Sequence, residues 1–208
     1  MSELLKLFPL DLVLFPDTPL PLHIFEPRYK EMIGECLRTK EEFGVIRVVP
    51  GAEAARLAEY GCTATVVDVM RNYPDGRMDI MATGKERFEL LEVNDERSFL
   101  RGRVRYFDDD IGETADLAPL RNKALELHGE LALLTDAENP AIEAESNRLA
   151  FQLTSLLPVD LDFKQAVLEM RTEEERLKML LDYYSKIVPK LKTMMVGRTR
   201  AGGNGYVN

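Results

Sequence analysis

The strongest constraint on the fold is a change of hydrophobic periodicity near residues 108–115. Residues 7–107 form short runs rich in β-branched residues and separated by turn signals, whereas residues 116–188 repeat apolar side chains every three or four positions. The junction reads Asp-Asp-Asp-Ile-Gly-Glu-Thr and is too polar to contribute to a core. We therefore predict a β-rich part over residues 1–112 and a helical part over residues 113–188.

The β-rich part contains a strong hairpin signal. Runs at residues 62–71 and 77–83 flank Pro74-Asp75-Gly76, in which proline presets the first central φ and glycine accepts a positive one. A helix is expected to begin at Pro27, a favoured first helical residue, and to end near Arg38. With five to seven strands and this one helix, the pattern predicts a small, mostly antiparallel barrel, because closure removes exposed edges.

The helical part predicts four helices that bury apolar stripes. Its last helix opens with a capping box, Thr172-Glu173-Glu174-Glu175, and is expected to end before Pro189. Residues 189–208 carry basic residues without acids and finish in a glycine-rich stretch, so we expect a disordered basic tail.

Composition and charge exclude several classes of protein. The 208 residues include 27 Lys and Arg against 36 Asp and Glu, a net charge of -9, which argues against broad nucleic-acid binding. Two cysteines without metal or redox spacing favour a reducing, cytoplasmic location. No apolar run is long enough for a membrane span, and Pro9 and Asp11 interrupt the amino-terminal run, so no signal peptide is expected.

Four candidate partner-binding residues are His23, Phe25, Glu26 and Arg28, around the predicted helix start. The histidine has apolar flanks, which favour a packed structural role over a contact with a partner. Glu26 and Arg28 fit a structural role at the positive end of the helix dipole, although such charges can also hold a peptide terminus. His23 and His128 lie far apart in the sequence without paired carboxylates, so no metal or cofactor is expected.

Three further candidates are Arg101, Arg103 and Arg105, which alternate along one strand and therefore share a face. They could form a contact patch for an acidic partner or an RNA backbone. The alternative is a solvated face paired to neighbouring acids such as Glu89 and Glu92.

The opening of the chain resembles the Lon amino-terminal domain family. The resemblance rests on Leu7-Phe8-Pro9-Leu10-Asp11-Leu12-Val13-Leu14-Phe15-Pro16 and on Pro21-Leu22-His23-Ile24-Phe25-Glu26-Pro27-Arg28-Tyr29. Later landmarks follow in order: Gly61, Pro74-Asp75-Gly76-Arg77, Thr83-Gly84 leading into Arg87-Phe88, Leu156-Leu157-Pro158, Lys164-Gln165 and Glu174-Glu175-Arg176-Leu177. The resemblance implies an α+β fold, with a PUA-like, mostly antiparallel pseudo-barrel that carries one inserted helix and precedes a four-helix subdomain.

In Lon proteases this region helps to recognise unfolded or tagged protein substrates, while later domains hydrolyse ATP and cleave peptides. The sequence shows no phosphate-binding loop, since Gly84-Lys85 is followed by Glu86, and no serine sits in a motif like the family's Ser-Lys dyad. We therefore expect a stand-alone, non-catalytic module that binds protein segments, with a protease or chaperone complex as a further partner. One alternative is an RNA-binding module that uses the three arginines; the other is an enzyme with a site between barrel and helices.

Overall fold

The computed structural model describes residues 4–51, 55–110, 116–137, 140, 142–144 and 146–202, with side chains through residue 195. In this part of the chain the strands are β1 (Leu5–Leu10), β2 (Pro19–Ile24), β3 (Phe43–Val49), β4 (Arg56–Asn72), β5 (Met78–Asn94) and β6 (Arg101–Phe107). The helices are α1 (Pro27–Thr39), α2 (Ala118–Thr135), α3 (Leu149–Leu156), α4 (Leu161–Glu169) and α5 (Glu173–Gly202).

The described strands form one six-stranded sheet in the order β2-β5-β4-β3-β1-β6. A further pairing of β5 with β6 closes the sheet on itself and leaves β2 attached outside the ring. The pairings are antiparallel except that of β1 with β3, which are separated in sequence by β2 and α1. The predicted mixed α+β class with a mostly antiparallel sheet is confirmed.

The β4–β5 hairpin explains the size of the sheet, because each of its strands has 17 residues. Its turn follows the predicted chemistry: Gly76 has a φ of +81°, and its N–H donates to the carbonyl of Tyr73 at 2.9 Å. The predicted run at residues 77–83 is only the first part of β5, because the structure continues one strand through Gly84 and Lys85. Pairing with β2, β4 and β6 along its length stabilises this continuous strand.

The inside of the closed sheet is filled around Phe88, which is fully buried with Leu7 and Ile46. Gly44 and Gly61 face this ring closely: a Cβ at Gly61 would lie 2.4 Å from its Cζ atom, and one at Gly44 would lie 2.9 Å from it. Small residues on the neighbouring strands therefore leave the space that this phenylalanine occupies.

Helix α1 begins at Pro27, as predicted, and ends at Thr39, one residue beyond the predicted end. Its buried side chains, Tyr29, Met32, Ile33 and Cys36, follow the predicted stripe. The next residue, Lys40, adopts a left-handed conformation that ends the helix.

The chain divides into two compact units, one comprising Met1–Asp109 with Thr154–Arg171 and the other comprising Asp110–Leu153 with Thr172–Asn208. Helix α4 thus belongs with the strands, and its first turn is capped by the Asp160 carboxylate, which accepts from Phe163 N–H at 2.7 Å. The predicted four-helix subdomain is not confirmed, and the boundaries at 112 and 188 stay predictions.

Arg87 of β5 ties α4 to the sheet within the first unit. Its guanidinium is 2% exposed and donates to the carbonyls of Leu168 (3.1 Å) and Met170 (2.5 Å). It also donates to the Asp109 carboxylate at 2.5 Å. The last carbonyls of a helix have no N–H donors within the helix itself. One buried side chain therefore supplies donors to carbonyls at the end of α4.

The second unit packs α2 against α5. Its buried polar pair is His128 and Tyr184, whose Nδ1 and hydroxyl oxygen are 2.9 Å apart. The hydroxyl half of the predicted capping box is present: Glu175 N–H donates to the Thr172 hydroxyl oxygen at 3.2 Å. The Glu175 carboxylate accepts from that hydroxyl at 3.0 Å, whereas in a full capping box it accepts from the backbone N–H of residue 172.

The predicted end of α5 before Pro189 is wrong, because the helix continues through this residue to Gly202. Proline removes one helical N–H donor, but the exposed segment that follows is rich in lysine, leucine and methionine, all good helix formers. Residues 190–202 are therefore helical instead of disordered, and residues 203–208 of the predicted tail lie outside the described residues. Of the helices in the described part of the chain, none combines the length and apolar character that a bilayer crossing requires.

Candidate functional site

The outer face of β2, β5 and β4 carries His23, one of the four predicted site residues of the amino-terminal motif. The strand register places Pro21 beside Met81 and His23 beside Asp79, while their neighbours Ile80 and Ala82 are fully buried. Since successive side chains alternate between faces, the first set lies on the outside. We call this surface the outer sheet face; its members are Pro19, Pro21, His23, Val67, Asp68, Met70, Arg71, Asp79, Met81 and Thr83.

The free edge of this face is closed to strand addition. Gly84 N–H donates to the Thr18 carbonyl at 3.0 Å, which fixes the alternation of inward- and outward-facing backbone groups along β2. Pro19 and Pro21 then occupy positions whose N–H would point away from β5, and proline has no N–H. Of residues 19, 21 and 23, only His23 has an amide to offer at this edge, so a ligand has to use side chains on the face.

Two β-bulges in β4 expose large apolar side chains on this face. The pairing of β4 with β5 shifts between Val66 and Asp68 and again between Val69 and Arg71, which leaves Val67 and Met70 as the extra residues. Their exposed fractions are 56% and 49%. Sequence reasoning missed both residues, because a bulge is set by the partner strand and not by the local pattern.

His23 is held by a polar cluster that the sequence did not predict. Its Nδ1 lies 2.5 Å from Asp79 Oδ1, and the Tyr73 hydroxyl donates to Asp79 Oδ2 at 2.8 Å. These two donors hold the pKa of the Asp79 carboxyl below its usual value, and the bond to Asp79 raises the pKa of the Tyr73 hydroxyl. His23 and Asp79 are 56 residues apart in the sequence, and only the register of β2 on β5 brings them together. Tyr73 and Asp79 are 6 residues apart and meet across the β4–β5 turn.

The remaining amino-terminal candidates form a charged border at the end of β2. Phe25 is 58% exposed and stacks beside the His23 ring with centroids 5.9 Å apart. Glu26 and Arg28 form an exposed ion pair at 2.8 Å, and the Arg28 guanidinium lies over the Tyr29 ring. The structure thus brings His23, Phe25, Glu26 and Arg28 to one region, with an aromatic side chain between charged groups.

The three alternating arginines lie on β6, and each is paired with residues near or on β5. Arg103 donates to Glu92 at 2.9 Å, and Arg105 donates through Nε to Glu89 at 3.0 Å. Arg101 donates to Asn94 at 2.9 Å. The alternative interpretation of these arginines, a solvated face paired to Glu89 and Glu92, requires these ion pairs, and both are present. They reduce the positive field of this strand.

Other reactive groups do not form a site in the described residues. No group of three His, Cys, Asp or Glu side chains there is arranged to hold a metal ion. Both cysteines are buried, and burial raises the pKa of the Cys36 thiol to about 11, which keeps it protonated and poorly nucleophilic at neutral pH.

A partly closed antiparallel sheet whose exposed apolar residues are bordered by ion pairs has the character of a binding domain. The chain belongs to the family of the ATP-dependent protease La (LON) substrate-binding domain, whose model matches residues 4–186.

Solved structures show the same relationship. The Lon N-terminal domain protein from Xanthomonas campestris is 26% identical, with a TM-score of 0.68, and the similarity covers 87% of this chain and 98% of that one. The N-terminal domain of Mycobacterium avium complex Lon protease shares the fold at 15% identity, with a TM-score of 0.58, over 89% of this chain and all of that one.

Lon protease 1 of Hydrogenovibrio crunogenus is 24% identical over 181 residues, which are 82% of this chain and 22% of that protein. The chain therefore spans about a fifth of the length of this curated relative.

Proposed function

We propose that this chain is a non-catalytic module that binds unfolded or tagged protein segments through the outer sheet face. The observation that carries the proposal is the exposure of Val67 and Met70 on consecutive bulges, beside an aromatic and charged border. Exposed apolar patches bordered by polar residues are typical of protein-binding surfaces. A cytoplasmic location, a PUA-like description of the sheet and a protease or chaperone complex as partner belong to the same proposal.

Binding on the face, and not along the edge, follows from the prolines of β2. A segment crossing the face would bury its apolar side chains against Val67, Met70 and Phe25. Full burial of one such side chain contributes about 1.5–3 kcal/mol. Three contacts supply about 4.5–9 kcal/mol and association costs at least about 4 kcal/mol of this, so we expect affinities near millimolar, which suits a module that accepts many sequences.

The test is a titration of the purified chain with a permanently unfolded polypeptide, such as a reduced and carboxymethylated protein, followed by fluorescence anisotropy. The double substitution Val67→Ser and Met70→Ser should weaken binding by roughly tenfold or more, because two apolar contacts are lost. Leu133→Ser is the matched control, since it removes an 85% exposed leucine from the other unit. Unchanged affinity of the double variant, or no binding by the native chain up to millimolar concentration, would refute the proposal.

No structural observation favours the RNA-binding alternative. Arg103 and Arg105 already pair with carboxylates of β5, and the net charge of the chain is -9. Phosphate contacts by these arginines would make RNA affinity fall steeply with salt. A salt titration of any RNA binding therefore separates the two functions.

A further inference from the structure

A polar cleft of about 390 Å³ lies within the first unit, at the opposite end of β4 from the bulges. Its walls come from the end of β3, the start of β4 and helix α4. Its polar lining includes Arg47, Arg56, Glu59, Asp162, Gln165 and Glu169. The apolar part of the lining is Val49, Leu57 and Ala58. This volume falls within the range of small-ligand sites.

Two buried polar atoms in the cleft wall lack a hydrogen-bond partner among the described residues: Nε of Arg47 and Oε1 of Gln165. The two residues are only 9% and 8% exposed. Each residue also has an engaged nitrogen: Arg47 Nη1 donates to Asp162 at 2.7 Å, and Gln165 Nε2 donates to the Tyr60 carbonyl at 3.1 Å and to the Glu169 carboxylate at 2.9 Å. Leaving a buried donor and a buried acceptor unpaired is costly. The wall is therefore suited to a ligand that offers an acceptor to Arg47 Nε and a donor to Gln165 Oε1.

The charges of the cleft favour a cationic donor. Asp162 neutralises Arg47 through their ion pair. Among the described lining residues, Glu59 and Glu169 then remain with Arg56, which gives this part of the lining one net negative charge. A protonated amine placed against Gln165 Oε1 would gain charge-assisted hydrogen bonds and these nearby carboxylates.

We propose that this cleft binds an α-aminoacyl group, that is, a free amino terminus together with its first carbonyl oxygen. The ammonium donates to Gln165 Oε1, and the carbonyl oxygen accepts from Arg47 Nε–H. An apolar first side chain packs against Val49 and Leu57. This chemistry is available from the amino terminus of a protein segment or from a free amino-acid derivative.

The proposal does not rest on the outer sheet face. The cleft uses residues 56–59 at the start of β4, whereas the bulges lie at residues 67 and 70. The two atoms without a hydrogen-bond partner, Arg47 Nε and Gln165 Oε1, have almost no exposed surface. Entry of a ligand therefore has to displace side chains of the wall slightly. Binding should therefore shift the nuclear magnetic resonance signals of the Gln165 side-chain amide.

The test is a titration of the isotopically labelled full chain with the pentapeptide Leu-Ala-Gly-Ser-Ala, with a free amino terminus or with that terminus acetylated. The free peptide should shift the Gln165 amide signals and bind at least about tenfold more tightly, because acetylation removes the charged donor. Leucinamide is the second probe: binding equal to that of the peptide assigns the site to free amino-acid derivatives, and weaker binding assigns it to chain termini. Equal affinities of the two peptides, or no shift of the Gln165 signals by any probe, would overturn the proposal and leave the cleft to water.

Two substitutions locate the binding. Glu59→Gln removes one exposed charge from the cleft and should weaken binding of the free peptide by roughly two- to fivefold. Glu126→Gln on α2 is the matched control and should leave it unchanged. Val67→Ser with Met70→Ser should also leave it unchanged, so failure here is distinguishable from failure of the proposed function. If Glu59→Gln and Glu126→Gln have equal effects, the amine is not bound in the cleft.

Discussion

Replacing Arg87 is the most demanding test of how the first unit is held together. Its 2% exposed guanidinium donates to two carbonyls at the end of α4 and to the Asp109 carboxylate. In the Arg87→Met variant all three acceptors lose this donor, while an unbranched apolar stem is kept. Removing one partner from a buried ion pair costs about 3–5 kcal/mol, and we expect a loss in this range. Arg87→Lys keeps the charge but cannot reach acceptors in two directions, so about half of that loss is expected.

The assay is equilibrium urea unfolding in low salt and in 1 M NaCl. Arg105→Met is the matched control, because that arginine is 66% exposed and its ion pair is worth at most about 1 kcal/mol. The loss from Arg87→Met should persist in high salt, since buried charges are screened little, whereas any effect of Arg105→Met should disappear. A loss below about 1 kcal/mol for Arg87→Met, or equal losses for the two methionine variants, would refute the reasoning.

Two further predictions concern packing and pH. Gly84→Ala should destabilise the chain by about 3 kcal/mol, because the new Cβ would lie 2.1 Å from the backbone oxygen of Phe15. Gly34→Ala is the contrasting variant, because its new Cβ would meet no neighbouring side chain or strand within 4 Å, and it should stabilise α1 by about 0.5–1 kcal/mol. Comparable midpoints of thermal unfolding for the two variants would contradict this. Burial holds the pKa of His128 below its usual value of 6.5, so the unfolded chain binds more protons and stability should fall as pH drops below about 6.5. His128→Gln should reduce that pH dependence of the unfolding midpoint while keeping a hydrogen bond to Tyr184, and an unchanged slope would show that His128 does not cause it.

Local signals in the sequence predicted the elements that local chemistry determines. The start of α1 at Pro27, the turn at Gly76 and the hydroxyl cap at Thr172 depend on neighbouring residues, and all three are confirmed. The predicted end of α5 before Pro189 is wrong, because the residues that follow the proline are good helix formers and offset the helix-breaking cost of that residue. The parallel pairing of β1 with β3 and the closure by β5 with β6 depend on residues far apart in sequence, so periodicity alone could not supply them.

The candidate site shows the same limit. His23, Phe25, Glu26 and Arg28 could be selected from the sequence because they lie within one continuous motif. Tyr73 and Asp79 could not, since their relation to His23 exists only through the register of β2 on β5. The prediction that these residues bind a partner stays a prediction.

Strand β4 connects the two proposed sites and explains why they can differ in chemistry. At its start the strand packs beside α4, and the helix contributes Asp162, Gln165 and Glu169 to a polar cleft. At its end the strand pairs with β5, and bulges turn Val67 and Met70 outward. The closed ring leaves the outer edge of β2 unpaired, and prolines remove amide donors from that edge. Under the two proposals, a protein segment would bind through its apolar side chains at one end of this strand and an amino terminus would bind through its charge at the other, so each site could be disabled without the other.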